Sequence, residues 1–117
     1  MYKRHITGRL GEDLAIKHLQ ENGYKIIQRN FECRQGEIDI IAKDKEEIVI
    51  IEVKTRKCLE YGKPAEAVDE KKQKHIYKAA EYYLYIKRLE KAFVRLDVIE
   101  VYIYNKKYYI NHIKNII

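Results

Sequence analysis

The chain offers few kinds of side chain able to do chemistry, chiefly carboxylates and lysines. It has no serine, and its only hydroxyl side chains besides tyrosine are Thr7 and Thr55, which excludes a serine hydrolase. Cys33 and Cys58 form no CxxC pair, and His5, His18, His75 and His112 lack metal-ligand spacing. What remains is a carboxylate–lysine set. Asp39 lies in the apolar stretch Glu37–Ile41, and Glu52 and Lys54 end the run Ile48–Val49–Ile50–Ile51. Asp is disfavoured inside strands, and a buried charge is costly unless it is paired or bound to a metal.

Read alone, Glu37 and Asp39 fit a half-exposed strand, and Glu52 with Lys54 fits an ion pair at a sheet rim. The run before Glu52 argues for more. It is apolar on both faces, as in a central strand covered on both sides. A short hairpin between the two segments would set Asp39 beside Glu52. Two carboxylates held close raise one pKa unless a cation intervenes. Mg²⁺ or Mn²⁺ answers that need with one or two carboxylates, water and substrate phosphate. Lys54 would then orient or deprotonate a water and stabilise charge at phosphorus.

Two further residues join the set. Glu12 lies among Ala15, Ile16 and Leu19 on a helical wheel, so it needs a partner, although a first-turn acid also suits the helix dipole. Gln73 extends an apolar helical stripe and forms an i, i+4 pair with Tyr77. Gly8 and Gly11, each unfavourable in a helix by about 1 kcal/mol, suggest a close approach of backbone or nucleic acid.

The elements that must position these residues follow from pattern. Residues 8–22 read as a helix with Thr7 as N-cap, Gly23 as stop and an apolar side from Leu10 to Leu19. Strands are predicted over 24–31, 37–43 and 47–54, with turns at Arg34–Gly36 and Asp44–Lys45. A loop over 55–68 leads to a second helix, capped by Asp69 and running to about Leu89, with Ile76, Ala79, Ala80, Tyr83 and Leu84 as its buried stripe. Strands over 93–101 and 107–113 close the chain. The predicted fold is α/β, a mixed sheet flanked by helices in the order α-β-β-β-α-β-β. With 117 residues, one proline and no repeat, a single domain over 1–117 is expected.

Asp39 followed after a hairpin by Glu52-x-Lys54 resembles the PD-(D/E)XK nuclease superfamily. A closer resemblance is to the small bacterial YraN-like family. It is carried by Gly8-Arg9-x-Gly11-Glu12, Asn30-Phe31, Gly36 to Ile41, Glu52 to Arg56, Lys72-Gln73 and Arg95 to Val98, in order along nearly the whole chain. Glu12, Asp39, Glu52 and Lys54 also resemble the active-site set of archaeal Holliday-junction resolvases. The superfamily's proline before the first Asp is replaced here by Ile38. The resemblance implies a restriction endonuclease-like fold and Mg²⁺-dependent hydrolysis of DNA phosphodiesters, with Asp39 and Glu52 as metal ligands and branched DNA as the substrate.

Charge points to the same partner. The net charge is +6, with 24 Lys and Arg against 18 Asp and Glu. Residues 54–78 hold eight bases and four acids. Arg9, Arg56, Lys57, Lys63, Lys72 and Lys74 are the expected phosphate contacts, and Arg95 with Asp97 the expected structural ion pair. No apolar run is long enough to span a bilayer, no secretory signal is visible, and unpatterned cysteines suit a reducing compartment, so a cytoplasmic protein without a membrane partner is expected. A monomer suffices to cut one strand, whereas paired cuts in a symmetric junction ask for a homodimer. The competing expectations are a catalytically silent nucleic-acid-binding module and a protein-interaction adaptor.

Overall fold

The computed structural model describes the backbone of residues 2–57 and 70–116 and the side chains of residues 8–56 and 70–116. Seven elements follow one another: α1 (Tyr2–Glu21), β1 (Lys25–Cys33), β2 (Gly36–Asp44), β3 (Glu47–Lys57), α2 (Glu70–Ile86), β4 (Phe93–Tyr104) and β5 (Lys107–Ile113). The predicted order is the observed one. The strands form one mixed sheet in the order β1-β2-β3-β4-β5. All neighbours are antiparallel except β3 and β4, which run parallel because α2 carries the chain between them.

One helix packs on each face. Ala15 and Leu19 of α1 meet Ile40, Ala42, Val49, Ile51, Ile99 and Val101. On the other face Ile76, Ala79, Ala80 and Tyr83 of α2 meet Ile38, Ile41, Ile48, Ile50, Leu96 and Val98. The central run Ile48–Ile51 is buried throughout because it feeds both cores in alternation. Among the described residues, no helix is long and apolar enough to cross a membrane.

Helix ends differ from the sequence expectation in instructive ways. Helix α1 begins at Tyr2, so Thr7 lies inside it and is not its N-cap. Leu10 is exposed, because the contact side of α1 begins at Gly11. Gly23 does stop α1, at φ +85°, with Tyr24 N–H bonding Leu19 O (2.9 Å) and Gly23 N–H bonding Gln20 O (3.1 Å). Helix α2 stops at Ile86, short of Leu89, because Arg88 takes the same left-handed conformation at φ +57°. Leu89 N–H then bonds Leu84 O at 2.8 Å. Strands β3 and β4 run three residues past their predicted ends, pairing in register to Lys57↔Ile103. The expected cap Asp69 and the loop with Gly62 and Pro64 lie outside the described residues.

Candidate functional site

The site forms where β2 parts from β3. The two strands pair from Asp44↔Glu47 to Ile40↔Ile51, and the next step would align Asp39 with Glu52. On the other side of β2 the position facing Asp39 is Asn30, which has φ +51°. The pleat changes phase there. Ile38 and Ile41 both face α2, while Ile40 and Ala42 face α1. Strict alternation would have put Ile38 with Ile40. At this break the carboxylate of Asp39 turns onto β3, and its Oδ2 accepts the N–H of Val53 at 2.8 Å. A side chain thus serves a β3 donor beyond the last β2 backbone pair.

Glu52 and Lys54 alternate with the α1-facing Val53 and share the α2 face with Ile48 and Ile50. The structure brings Asp39, Glu52 and Lys54 together. Burial, together with the charge of the neighbouring Glu52, pushes the Asp39 carboxyl up to about 7. The Val53 N–H opposes that rise, and Glu12 adds to it from α1. Glu52 is itself buried, and Lys72 from the first turn of α2 places Nζ 2.6 Å from its Oε1. Burial and the adjacent Lys72 hold Lys54 below the usual lysine range, against the pull of Glu52. Burial also works against the charge of Lys72, but its hydrogen bond to Glu52 and that carboxylate's charge raise it.

The other predicted residues occupy varied positions. Glu12 is half-buried, with an oxygen 3.6 Å from Arg29, which also binds Asp13 at 2.9 Å. Gln73 lies in the same turn of α2 as Lys72 and is half-buried. Arg9 and Lys74 are exposed. Arg56 is not a surface base, since its side chain is 15 % exposed and lies 3.3 Å from Glu100. Lys72 is half-exposed, and its head group sits on Glu52 and not in open solvent. The side chain of Lys57, all of Lys63 and the candidate stacking residue Tyr61 lie outside the described residues. Gly11 does sit at a close approach, but to a side chain and not to backbone or nucleic acid: an added Cβ would clash with Thr55 Oγ1 of β3. Gly8 has open space around it.

Two residues escaped sequence reasoning. Glu100 is 1 % exposed, and it accepts from Asn111 Nδ2 at 2.8 Å and from Arg56. It is aligned with Lys54 across the parallel β3–β4 pair. An acid inside the apolar stretch Leu96–Val101 was the available signal. Asn30 is the other, and its left-handed conformation suits Asn better than most residues. Among the described residues, no cluster of three or more His, Cys, Asp or Glu side chains is arranged to hold a metal. Asp39 and Glu52 put two carboxylates side by side at this point.

Residues 11–101 match the family described as "Uncharacterised protein family UPF0102". The chain belongs to the UPF0102 family. A UPF0102 protein of Caldicellulosiruptor bescii is 52 % identical over 101 residues, covering 86 % of this chain and 85 % of that protein. One of Caldicellulosiruptor saccharolyticus is 44 % identical over 117 residues, covering 98 % of each. A third, of Clostridium botulinum, is 50 % identical over 111 residues, covering 92 % of this chain and 90 % of the relative. The UPF0102 match spans Asp39, Glu52, Lys54, Lys72 and Glu100, so every part of the site lies within the family region.

Proposed function

We propose that this UPF0102 protein is a divalent-metal-dependent DNA endonuclease of the PD-(D/E)XK type, acting on branched DNA. One observation carries the reading: where β2 and β3 part, the Asp39 carboxylate turns onto the Val53 N–H beside buried Glu52, with Lys54 next along the same strand face. Two buried acids held together are unfavourable without a cation, and hard oxygen donors in small number suit Mg²⁺ or Mn²⁺. Asp39 and Glu52 would hold that ion, with the Val53 carbonyl as an additional ligand. The ion, when bound, supplies Lewis-acid polarisation of the phosphate and a more acidic water.

The chain's own groups supply the rest. Lys54, its ammonium disfavoured chiefly by burial, takes the proton of the attacking water. The water oxygen bonds to phosphorus, the P–O bond to the leaving alkoxide breaks, and that alkoxide takes up a proton from solvent. Glu12 reaches the same centre through water, and Gln73 orients Lys54 or a phosphate oxygen. Arg9 and Lys74 contact the DNA backbone further out. Symmetric paired cuts would use a homodimer.

The test is incubation with supercoiled, linear and four-way-junction DNA in Mg²⁺, Mn²⁺ or EDTA. The reading expects metal-dependent cleavage that Asp39→Asn and Lys54→Ala reduce at least 100-fold. A second reading is a silent nucleic-acid-binding module, favoured by the Lys72 ammonium on Glu52. Salt-sensitive binding with no cleavage of any substrate would establish it.

A further inference from the structure

The Lys72–Glu52 contact has an uneven character. The Glu52 side chain is 7 % exposed and that of Lys72 is 44 % exposed. A buried carboxylate strongly requires a partner, whereas a half-exposed lysine can trade that partner for solvent and regains rotamer freedom on leaving. Lys72 extends from the first turn of a helix, and Lys54 from the strand beneath it. Lys54 is fixed two residues from Glu52 on the same strand face. Lys72 reaches the carboxylate across the gap between layers on a flexible four-carbon stem.

Resting on the nuclease reading above, we infer that Lys72 is the resident counter-ion of Glu52, withdraws when the carboxylate takes a divalent cation, and then serves a DNA phosphate. An ammonium 2.6 Å from Oε1 and a divalent cation on the same carboxylate are like charges at close range, strongly repulsive in a low-dielectric pocket. Lys72 therefore leaves. Its half-exposed stem gives it somewhere to go, toward solvent at the first turn of α2, where Lys71 is also exposed. Glu52 is never left bare, because one cation replaces another. Metal and DNA then bind cooperatively through one side chain, and each must tighten the other by the same factor.

The test separates this inference from the reading beneath it. Mn²⁺ binding is measured by calorimetry without DNA in the wild type, Lys72→Met, Lys72→Gln and Glu52→Gln. Binding of a fluorescent four-way junction is measured in EDTA and in Ca²⁺. Circular dichroism checks the fold of each variant. Lys72→Met and Lys72→Gln should bind Mn²⁺ about 10-fold more tightly than the wild type, the equivalent of about 1.4 kcal/mol. Both variants should also lose the Ca²⁺-dependent gain in junction affinity that the wild type shows. Equal or weaker Mn²⁺ binding in both variants, with binding lost in Glu52→Gln, overturns the role of Lys72 and leaves the metal site standing. Failure of wild type and variants alike to bind Mn²⁺, or full binding by Glu52→Gln, overturns the metal reading and this inference together.

Discussion

Two acids of the sheet, Asp97 and Asp39, are treated in opposite ways. On the α1 face, Asp97 has no exposed surface, yet it accepts from Arg95 Nε at 2.9 Å, His112 Nε2 at 2.7 Å and the Asn115 N–H at 3.0 Å. Burial alone would push its carboxyl up, but His112, Arg95 and Asn115 outweigh burial and hold it below the usual range. Arg95 is also shared with Asp44, Glu47 and Tyr24. This is the ion-pair network expected from sequence, and it ties β2, β3, β4 and the chain's last residues together. Where β2 parts from β3, burial pushes Asp39 up, and its neighbour Glu52 adds to the rise. Burial of an acid therefore does not mark a functional site; a shortage of donors for it does.

The largest test of this contrast is removal of the satisfied acid. Asp97→Ala should cost about 3–5 kcal/mol in urea unfolding at pH 7, because Arg95 and His112 lose their buried partner. A loss under 1 kcal/mol would erase the distinction between the two acids. The opposite sign is expected for Asp39→Asn. The Asn carbonyl can still accept the Val53 N–H, and its amide can donate to Glu52. The folded Asp39 carboxyl lies near 7 against 3.8 for its ordinary value, so the stability it contributes is complete below pH 3.8 and lost as pH rises through 7. At pH 8 in EDTA, Asp39→Asn should therefore be more stable than the wild type by roughly 2–4 kcal/mol, with the gain fading toward pH 4. Asp97 has the reverse slope: its contribution is present above pH 3.8 and falls away in stronger acid.

Much of this was legible in the sequence, for local reasons. Ile76, Ala79, Ala80 and Tyr83 keep helical spacing, and all four are buried. The abrupt arrival of Glu52 and Lys54 after an apolar run marked a site because charge in a central strand needs a reason. The phase change at Asn30 and Asp39 was not legible, since it depends on two strands meeting at one left-handed residue. Nor was the seat of Lys72, one of several lysines in its helix, singled out only by a carboxylate 20 residues upstream. Arg56 read as a surface base because its partner Glu100 lies 44 residues away.

A smaller test concerns the helix between these regions. Gly11→Ala should push α1 away from Thr55 and cost about 1–3 kcal/mol, despite the better helix propensity of Ala. Adding Thr55→Ala should recover about half of the loss, as chemical denaturation would show. The smallest effect is at the end of α2, where Arg88→Gly removes a left-handed non-glycine residue and should add about 0.5–1 kcal/mol to stability. Neither change should alter the opposed pH slopes of Asp39 and Asp97.

The central claim is that the strained acid pair is built for a cation. The most direct measurement is anomalous diffraction from crystals soaked in Mn²⁺ at pH 8. The account predicts an anomalous peak bound by Asp39 and Glu52, with Lys72 withdrawn from Glu52. An ordered site without a peak, with Lys72 still on Glu52, would contradict it.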